Sequence, residues 1–383
     1  MFKILAFAIA LLIGIGFYIY FRIRPLMPEY NTWQGVLSRA VYVLFFISFI
    51  IGYILQSKGF YAFSFPFTYI GSWVLAAIMY FVIVFLLIDI FRLGNLLFKT
   101  DFLSFTYTVG NEKARMFSLC VSIVVTLILI CGALVAKFPV TKHITFDTTK
   151  NLTQNIKFVL VSDVHLGMIN CDSFFERLKD RINAENPDFV VIAGDFFDGD
   201  PYPVVNSRVG DILDEIRTGC GIYAINGNHE WLGNAYVADE FLTKHGVKVL
   251  RDSVAKLPFG VTIIGREDLS AGMREKVKLR KSLEEFTKDV DSNDFTILLD
   301  HQPPRSYDEL VNAGIDLGLS GHTHAGAQLW PLFLITRRLY KNDYGIYREG
   351  NSTFYTTSGY GTWGPPVRTS SRPEMVVIEL VKK

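Results

Sequence analysis

Up to about residue 137 the chain is a succession of long apolar stretches; beyond it, short apolar runs alternate with charged, Gly-containing loops. Four stretches, residues 4–21, 40–55, 69–88 and 116–136, have the length that crosses ~30 Å of hydrocarbon as a helix. They predict an all-α bundle of four transmembrane helices over residues 1–137. The first ends in Phe17-Tyr18-Ile19-Tyr20-Phe21-Arg22, without the small residues a signal peptidase requires, so it is expected to stay as a span. The second is the shortest. The ring-rich run from Phe60 to Phe67 after it suits a bilayer interface, which leaves a re-entrant or surface segment open there.

In residues 138–383 the pattern predicts strands at 156–161, 189–193, 222–225, 261–264, 295–299, 317–319, 354–357 and 375–380, each ending in a Gly, Asp, Asn or His cluster. Between the first two lies a predicted helix over 172–186, with Asp172 as N-cap, Phe174, Phe175 and Leu178 at helical spacing, and Pro187 just past its end. This is a βαβ unit. Ligand sites in such sheets gather beyond the carboxyl ends of the strands, where the polar clusters fall.

Composition agrees with the division: 50% hydrophobic residues is too apolar for an ordinary soluble protein. A net charge of +1 gives no electrostatic reason for a nucleic-acid partner. Arg22, Arg24 and Arg39 follow the first span and Arg92, Lys99, Lys113 and Arg115 the third, against Lys58 alone in the middle loop. Cations favour the cytoplasmic side, so an integral protein of the cell membrane with both termini and the C-terminal domain outside is expected. Lys3, Lys137, Lys142 and Lys150 count against this, although long domains translocate largely regardless of charge. Among four cysteines no Cys-x-x-Cys spacing occurs, and Cys120 and Cys131 lie in an apolar segment. Cys171 and Cys220 read as buried free thiols, with pairing as the alternative if the domain is exported.

The strand-end clusters are Asp163-Val164-His165, Gly194-Asp195, Gly227-Asn228-His229-Glu230, His301 and Gly321-His322-Thr323-His324. One such cluster is most simply a capped loop; five at successive strand ends are a constellation. Carboxylates, imidazoles and an amide without thiolate suit divalent Mn, Fe or Zn. Seven ligands are too many for one centre, and two metals ~3.5–4 Å apart clamp both oxygens of a phosphoryl displacement. Asp195, after Gly194, suits the carboxylate that bridges them.

In this order the clusters reproduce the D-x-H, G-D, G-N-H-D/E, H, G-H-x-H signature, and residues 142–383 resemble the calcineurin-like metallophosphoesterases. The resemblance implies a four-layer αββα sandwich. It further implies one metal held by Asp163, His165, Asp195 and His324, and a second by Asp195, Asn228, His301 and His322, with Mn favoured. His229 would remain unligated and serve the leaving oxygen or the transition-state charge while a hydroxide bridging the metals attacks phosphorus. Asp198 and Glu230 read either as supports of the site or as ordinary caps. A narrower resemblance, to a membrane-attached branch, rests on Leu298-Leu299-Asp300-His301-Gln302-Pro303 and on the tail from Ser358 to Arg368. It implies a loop folded over the metals, with Arg368 either meeting a substrate oxyanion or standing on the surface. Ala325-Gly326-Ala327-Gln328 departs from that branch and puts the shape of the following loop in doubt.

The expected function is hydrolysis of a phosphomonoester, phosphodiester or pyrophosphate, and the anchor directs attention to a lipid-linked substrate and to membrane lipids as partners. The alternative is a non-catalytic receptor using the metals to bind a phosphorylated ligand, against which His229 argues; a transporter ranks last, because Asp89 is the only acid at the margin of a span. The apolar run from Leu329 to Leu339 contains Arg337 and Arg338 and ends before Tyr340. It reads as a helix buried in the core, or as Trp330, Leu332, Phe333 and Leu334 meeting lipid while the arginines hold head groups.

Overall fold

The computed structural model describes residues 2–101, 103–275, 280–288 and 290–383, with side chains 2–9, 96, 273–275 and 286 left aside. The chain divides into two compact units, Met1–Ala133 and Leu134–Lys383, four residues before the boundary read from the sequence.

The first unit is helical: Phe2–Ile23, Trp33–Ser57, Tyr61–Phe98 and Glu112–Lys137. Three stretches among the described residues are long and apolar enough to cross a membrane, Trp33–Ser57, Tyr61–Asn95 and Glu112–Lys137. The fourth expected span falls on Phe2–Ile23, whose first side chains lie outside the described residues. The open question at 60–67 is answered by a continuous helix with Pro66 in its second turn, so no re-entrant segment forms. Thr32 caps the second helix by accepting from the Gly35 amide at 3.0 Å. Asp89, the acidic residue of the third, accepts from Arg22 and from the Tyr18 hydroxyl, a pairing that a carboxylate needs inside an apolar helix bundle.

The second unit holds two six-stranded mixed sheets. The strands are β1 Val140–Thr148, β2 Ile156–Val161, β3 Phe189–Ala193, β4 Ile222–Ile225, β5 Val247–Val249, β6 Ser253–Leu257, β7 Val261–Gly265, β8 Phe295–Leu299, β9 Leu317–Ser320, β10 Gly345–Glu349, β11 Ser352–Thr356 and β12 Glu374–Lys382. One sheet runs β1-β12-β2-β3-β4-β5, the other β10-β11-β9-β8-β7-β6. Only the β12/β2, β10/β11 and β6/β7 pairs are antiparallel.

Alternate side chains of β2 serve different cores, as the two-residue period of a strand requires. Phe158 and Leu160 join Phe189 and Tyr223 against Ile263, Ile297 and Tyr355 of the other sheet. Val159 and Val161 pack instead with Phe175, Leu178 and Ile182 of the helix Asp172–Glu185. Beyond the second sheet, Ile264, Leu298 and Phe354 meet Tyr307 and Leu310. Covered on both faces, the interior strands are continuous apolar runs.

Three expectations need correction. The N-cap of the helix Asp172–Glu185 is Cys171, whose side chain makes no capping bond; Asp172 lies one residue inside and accepts from the Arg208 amide at 3.4 Å. All four cysteines are free, and Cys171 is exposed rather than buried, since it stands ahead of the helix face that packs on the sheet. The helix over residues 329–340 is short, Phe333–Leu339, and buries only Thr336; its apolar run faces away from the core.

Phe158 is fully buried and stacks on Phe189 with ring centroids 4.7 Å apart. Phe158→Ala is expected to lower the unfolding free energy of this unit by about 3–5 kcal/mol, measured by urea denaturation of the detergent-solubilised chain.

Candidate metal centre

Every signature cluster begins within two residues of a strand's carboxyl end: Asp163 and His165 after β2, Asp195 after β3, Asn228 and His229 after β4, His301 after β8, and His322 and His324 after β9. Three of these strands belong to one sheet and two to the other, so the site lies where the ends of both sheets converge. The turns are tight. Asp163, His165, Asp195, His322 and His324 have φ of 51°, 49°, 50°, 71° and 49°, a left-handed conformation that costs a non-glycine residue on the order of 1–3 kcal/mol each. A Cβ on Gly227 would stand 2.2 Å from Asp195 Oδ1 and 2.8 Å from His301 Cδ2, so glycine alone lets that turn come so close.

The side chains gather into two overlapping groups. In the first, Nε2 of His165 and of His324 are 3.0 Å apart, and Asp163 Oδ1 lies 3.5 Å from His324 Nε2 and 4.0 Å from His165 Nε2. In the second, Asn228 Oδ1 stands 2.7 Å from His322 Nδ1 and 3.2 Å from His301 Nε2. Asp195 Oδ2 belongs to both, 3.8 Å from His165 Nε2 and 3.1 Å from His301 Nε2. The ligand atoms of Asp163, His165 and His324 lie within 4.8 Å of one another, as do those of Asp195, His301 and His322; a further set joins His165, Asp195 and His229.

Neighbouring groups fix the ring orientations. His301 Nδ1 donates to the Ala193 carbonyl at 2.8 Å, leaving Nε2 free as an acceptor. Asp198 stands 3.1 Å from His229 Nδ1 and 3.4 Å from His165 Nδ1. Glu230 accepts from the amides of Asp195, Phe197 and Gly227 at 3.1, 2.9 and 2.7 Å. It both caps its own helix and ties the β4 loop to the β3 loop, so the two readings of Glu230 hold together.

Arg368 does neither of the things expected of it. Its guanidinium is fully buried and bonds to the carbonyls of Ser358, Gly359 and Gly361 and to Ser371 Oγ, with Nη2 3.0 Å from His324 Nδ1. With its donors spent on backbone, it braces the tail and His324 and meets no substrate. The tail itself lies on the first cluster through amide bonds from Tyr360 and Gly361 to the carbonyls of Ser162 and Asp163. The Gly- and Pro-rich loop around Arg368 was visible in the sequence, but the backbone carbonyls that define this role were not. Tyr340, whose ring centroid lies 5.8 Å from that of His322, left no signal in the sequence. In the departing segment, Ala325, Gly326, Ala327 and Gln328 all have positive φ, and Gln328 Nε2 donates to the Trp363 and Pro365 carbonyls of the tail.

Electrostatics fit a cation site. Burial raises the Asp195 carboxyl, but the charge and hydrogen bond of His301, with His229 and His165 behind it, hold it well below the usual carboxylate range. Burial lowers His301 and Asp195 more than reverses this, so a divalent ion there competes with a proton. Burial, then His301, lowers His322 to about 4. Burial and the Arg368 charge drive His324 well below its ordinary value; both rings are neutral at pH 7, as ligands must be. His229 is opposite in character: burial lowers it, while Asp198, followed by Asp195, raises it to about 9.

Residues 156–326 match the model of the Calcineurin-like phosphoesterase family. Similar proteins include an uncharacterized metallophosphoesterase of Aquifex aeolicus, 33% identical over 60% of this chain and 86% of its own length. An uncharacterized metallophosphoesterase of Campylobacter jejuni is 34% identical over 61% of each chain. A transmembrane protein with metallophosphoesterase domain from Danio rerio is 27% identical over 94% of this chain and 82% of its own. The chain thus spans less than two thirds of the Campylobacter relative.

Because Asp195 stands between both ligand groups, Asp195→Asn is expected to reduce bound divalent metal from two ions per chain towards none. Plasma mass spectrometry of the Mn-loaded chain reads this; retention of a full complement would contradict the shared role.

Proposed function

From the membership of this chain in the calcineurin-like metallophosphoesterase family, we propose a membrane-anchored hydrolase that cleaves a phosphoric ester or anhydride bond with two divalent cations. Asp163, His165, Asp195 and His324 would hold one, and Asp195, Asn228, His301 and His322 the other. The observation that carries the reading is Asp195 Oδ2, within 3.8 Å of a ligand nitrogen of the first group and 3.1 Å of one in the second. Bound there, two cations supply Lewis-acid polarisation of a phosphoryl group and a water acidic enough to react at neutral pH. A donor set of carboxylate, imidazole and amide favours Mn over softer ions.

His229 is the proton carrier of this reading. Its Nδ1 faces Asp198, which fixes the ring and leaves Nε2 to donate to the leaving oxygen. With its pKa raised to about 9, the ring carries that proton at pH 7. A receptor that only binds a phosphorylated ligand has no use for a histidine so held. The spans tether the enzyme with its catalytic unit outside the cytoplasm, on the loop-cation asymmetry, and the anchor favours a lipid-linked phosphomonoester, phosphodiester or pyrophosphate over nucleic acid.

Purified full-length chain with added Mn is expected to turn over at least one member of a panel of generic phosphodiesters, nucleotide sugars, and lipid phosphates and pyrophosphates. His229→Ala should lower kcat about 10²–10⁴-fold while both ions stay bound. Near-normal turnover would overturn the acid role, and loss of metal would overturn the ligand assignment. Absence of any turnover by the metal-loaded wild type would favour the receptor.

A reporter fused after Lys383 is expected to be active only outside the cytoplasm; activity inside reverses the orientation.

A further inference from the structure

The helix Phe333–Leu339 has its polarity turned inside out. At 100° per residue, Leu334, Arg338, Ile335 and Leu339 share an arc of about 140°, and Thr336 points the other way. Thr336 is the buried one, bonded through its hydroxyl to Asp343 at 3.0 Å. Leu334, Ile335 and Leu339 are 58%, 55% and 51% exposed, and Trp330, just ahead, is 48% exposed. Six of the thirteen large apolar side chains exposed among the described residues of the unit Leu134–Lys383 lie between Trp330 and Ile346. Clustered apolar exposure of this kind marks a contact surface.

Charge selects the occupant. From Leu329 to Lys341 there are three cations and no acid. Lys341 is paired with Glu349 at 2.8 Å, Arg337 reaches Asp343 only at 3.9 Å while lying over the Phe333 ring, and Arg338 pairs with no described residue. Exposed leucine, isoleucine and tryptophan beside Arg338 and the loosely paired Arg337 match the boundary between acyl chains and anionic head groups.

We propose that the outward face of the helix Phe333–Leu339, with Trp330, docks on the head-group layer of an anionic bilayer. The inference rests on the membrane anchoring proposed above, because a tethered unit meets the bilayer at high effective concentration. The docking segment begins six residues after His324, at Trp330, and Tyr340, which follows its end at Leu339, stands beside His322. Contact with lipid is therefore made by the chain segment that adjoins the second ligand group, which deepens the reading of a lipid-linked substrate.

The test uses the full-length chain with its four cysteines replaced by alanine and one fluorophore-labelled cysteine, Ile335→Cys, or Asp180→Cys as an exposed reference. Each is reconstituted in vesicles of phosphatidylcholine or of equimolar phosphatidylcholine and phosphatidylglycerol. In the anionic vesicles the label at 335 should be several-fold less quenched by acrylamide than the reference, and should be quenched by lipid-borne nitroxide. Arg337→Ser with Arg338→Ser should remove both effects while leaving the melting temperature and the activity on soluble phosphoesters unchanged. A label at 335 as accessible as the reference in both vesicles overturns the docking. Shielding without nitroxide quenching also overturns it, because the contact is then with a second copy. Release of the chain by alkaline carbonate overturns the anchoring and this proposal with it, whereas retention with an accessible label sinks the docking alone.

Discussion

The unit Leu134–Lys383 is organised around a burial problem centred on Asp195. Its carboxylate is 2% exposed, and Asp163 beside it is fully buried. Charge taken out of water at this depth must be compensated, and the groups facing the Asp195 carboxylate are imidazoles and the His229 amide rather than lysine or arginine. Divalent cations held there, as proposed, would resolve the conflict, because neutral histidines would then be ligands instead of stand-in counter-charges. The left-handed turns after β2, β3 and β9 are the cost of aiming so many short side chains at one point, and the interior strands of two sheets are rigid enough to sustain it.

Around that point the supports work in pairs. Glu230 ties the loops after β3 and β4 through three amides, and Asp198 holds two rings at once, one in each role. Arg368 does for the tail what Glu230 does for the loops: it collects the carbonyls of Ser358, Gly359 and Gly361 and sets them against His324. Removing a buried group with several partners strands all of them, so these residues matter to the site without touching what binds there.

All eight strands legible in the sequence are interior strands, and the four that were not, β1, β5, β6 and β10, are the four sheet edges. The reason is physical. An interior strand is covered on both faces and reads as an unbroken apolar run, whereas β10 alternates between half-buried and exposed and so resembles a loop. The residues that gather at the strand ends were legible because candidate metal chemistry restricts residue type; the bracing role of Arg368 was not, because its partners are mostly backbone carbonyls, which leave no trace in sequence. The helix Phe333–Leu339 illustrates the same limit: an apolar run reads identically whether it faces a core or the outside. Cys171 was misplaced for a related reason, since helix periodicity does not say what lies ahead of the first turn.

The strand order has a bearing on biosynthesis. β12, from the last residues of the chain, inserts between β1 and β2, and β1 pairs with it in parallel over nine residues. While the ribosome is still translating, β1 has emerged without a partner, and β2 presents an open edge. The sheet cannot close until residue 382 has been delivered, which makes completion of this unit a late, long-range event. Throughout that interval an unpaired, β-branched strand waits immediately after the helix Glu112–Lys137, exposed to any other nascent chain that offers it an edge.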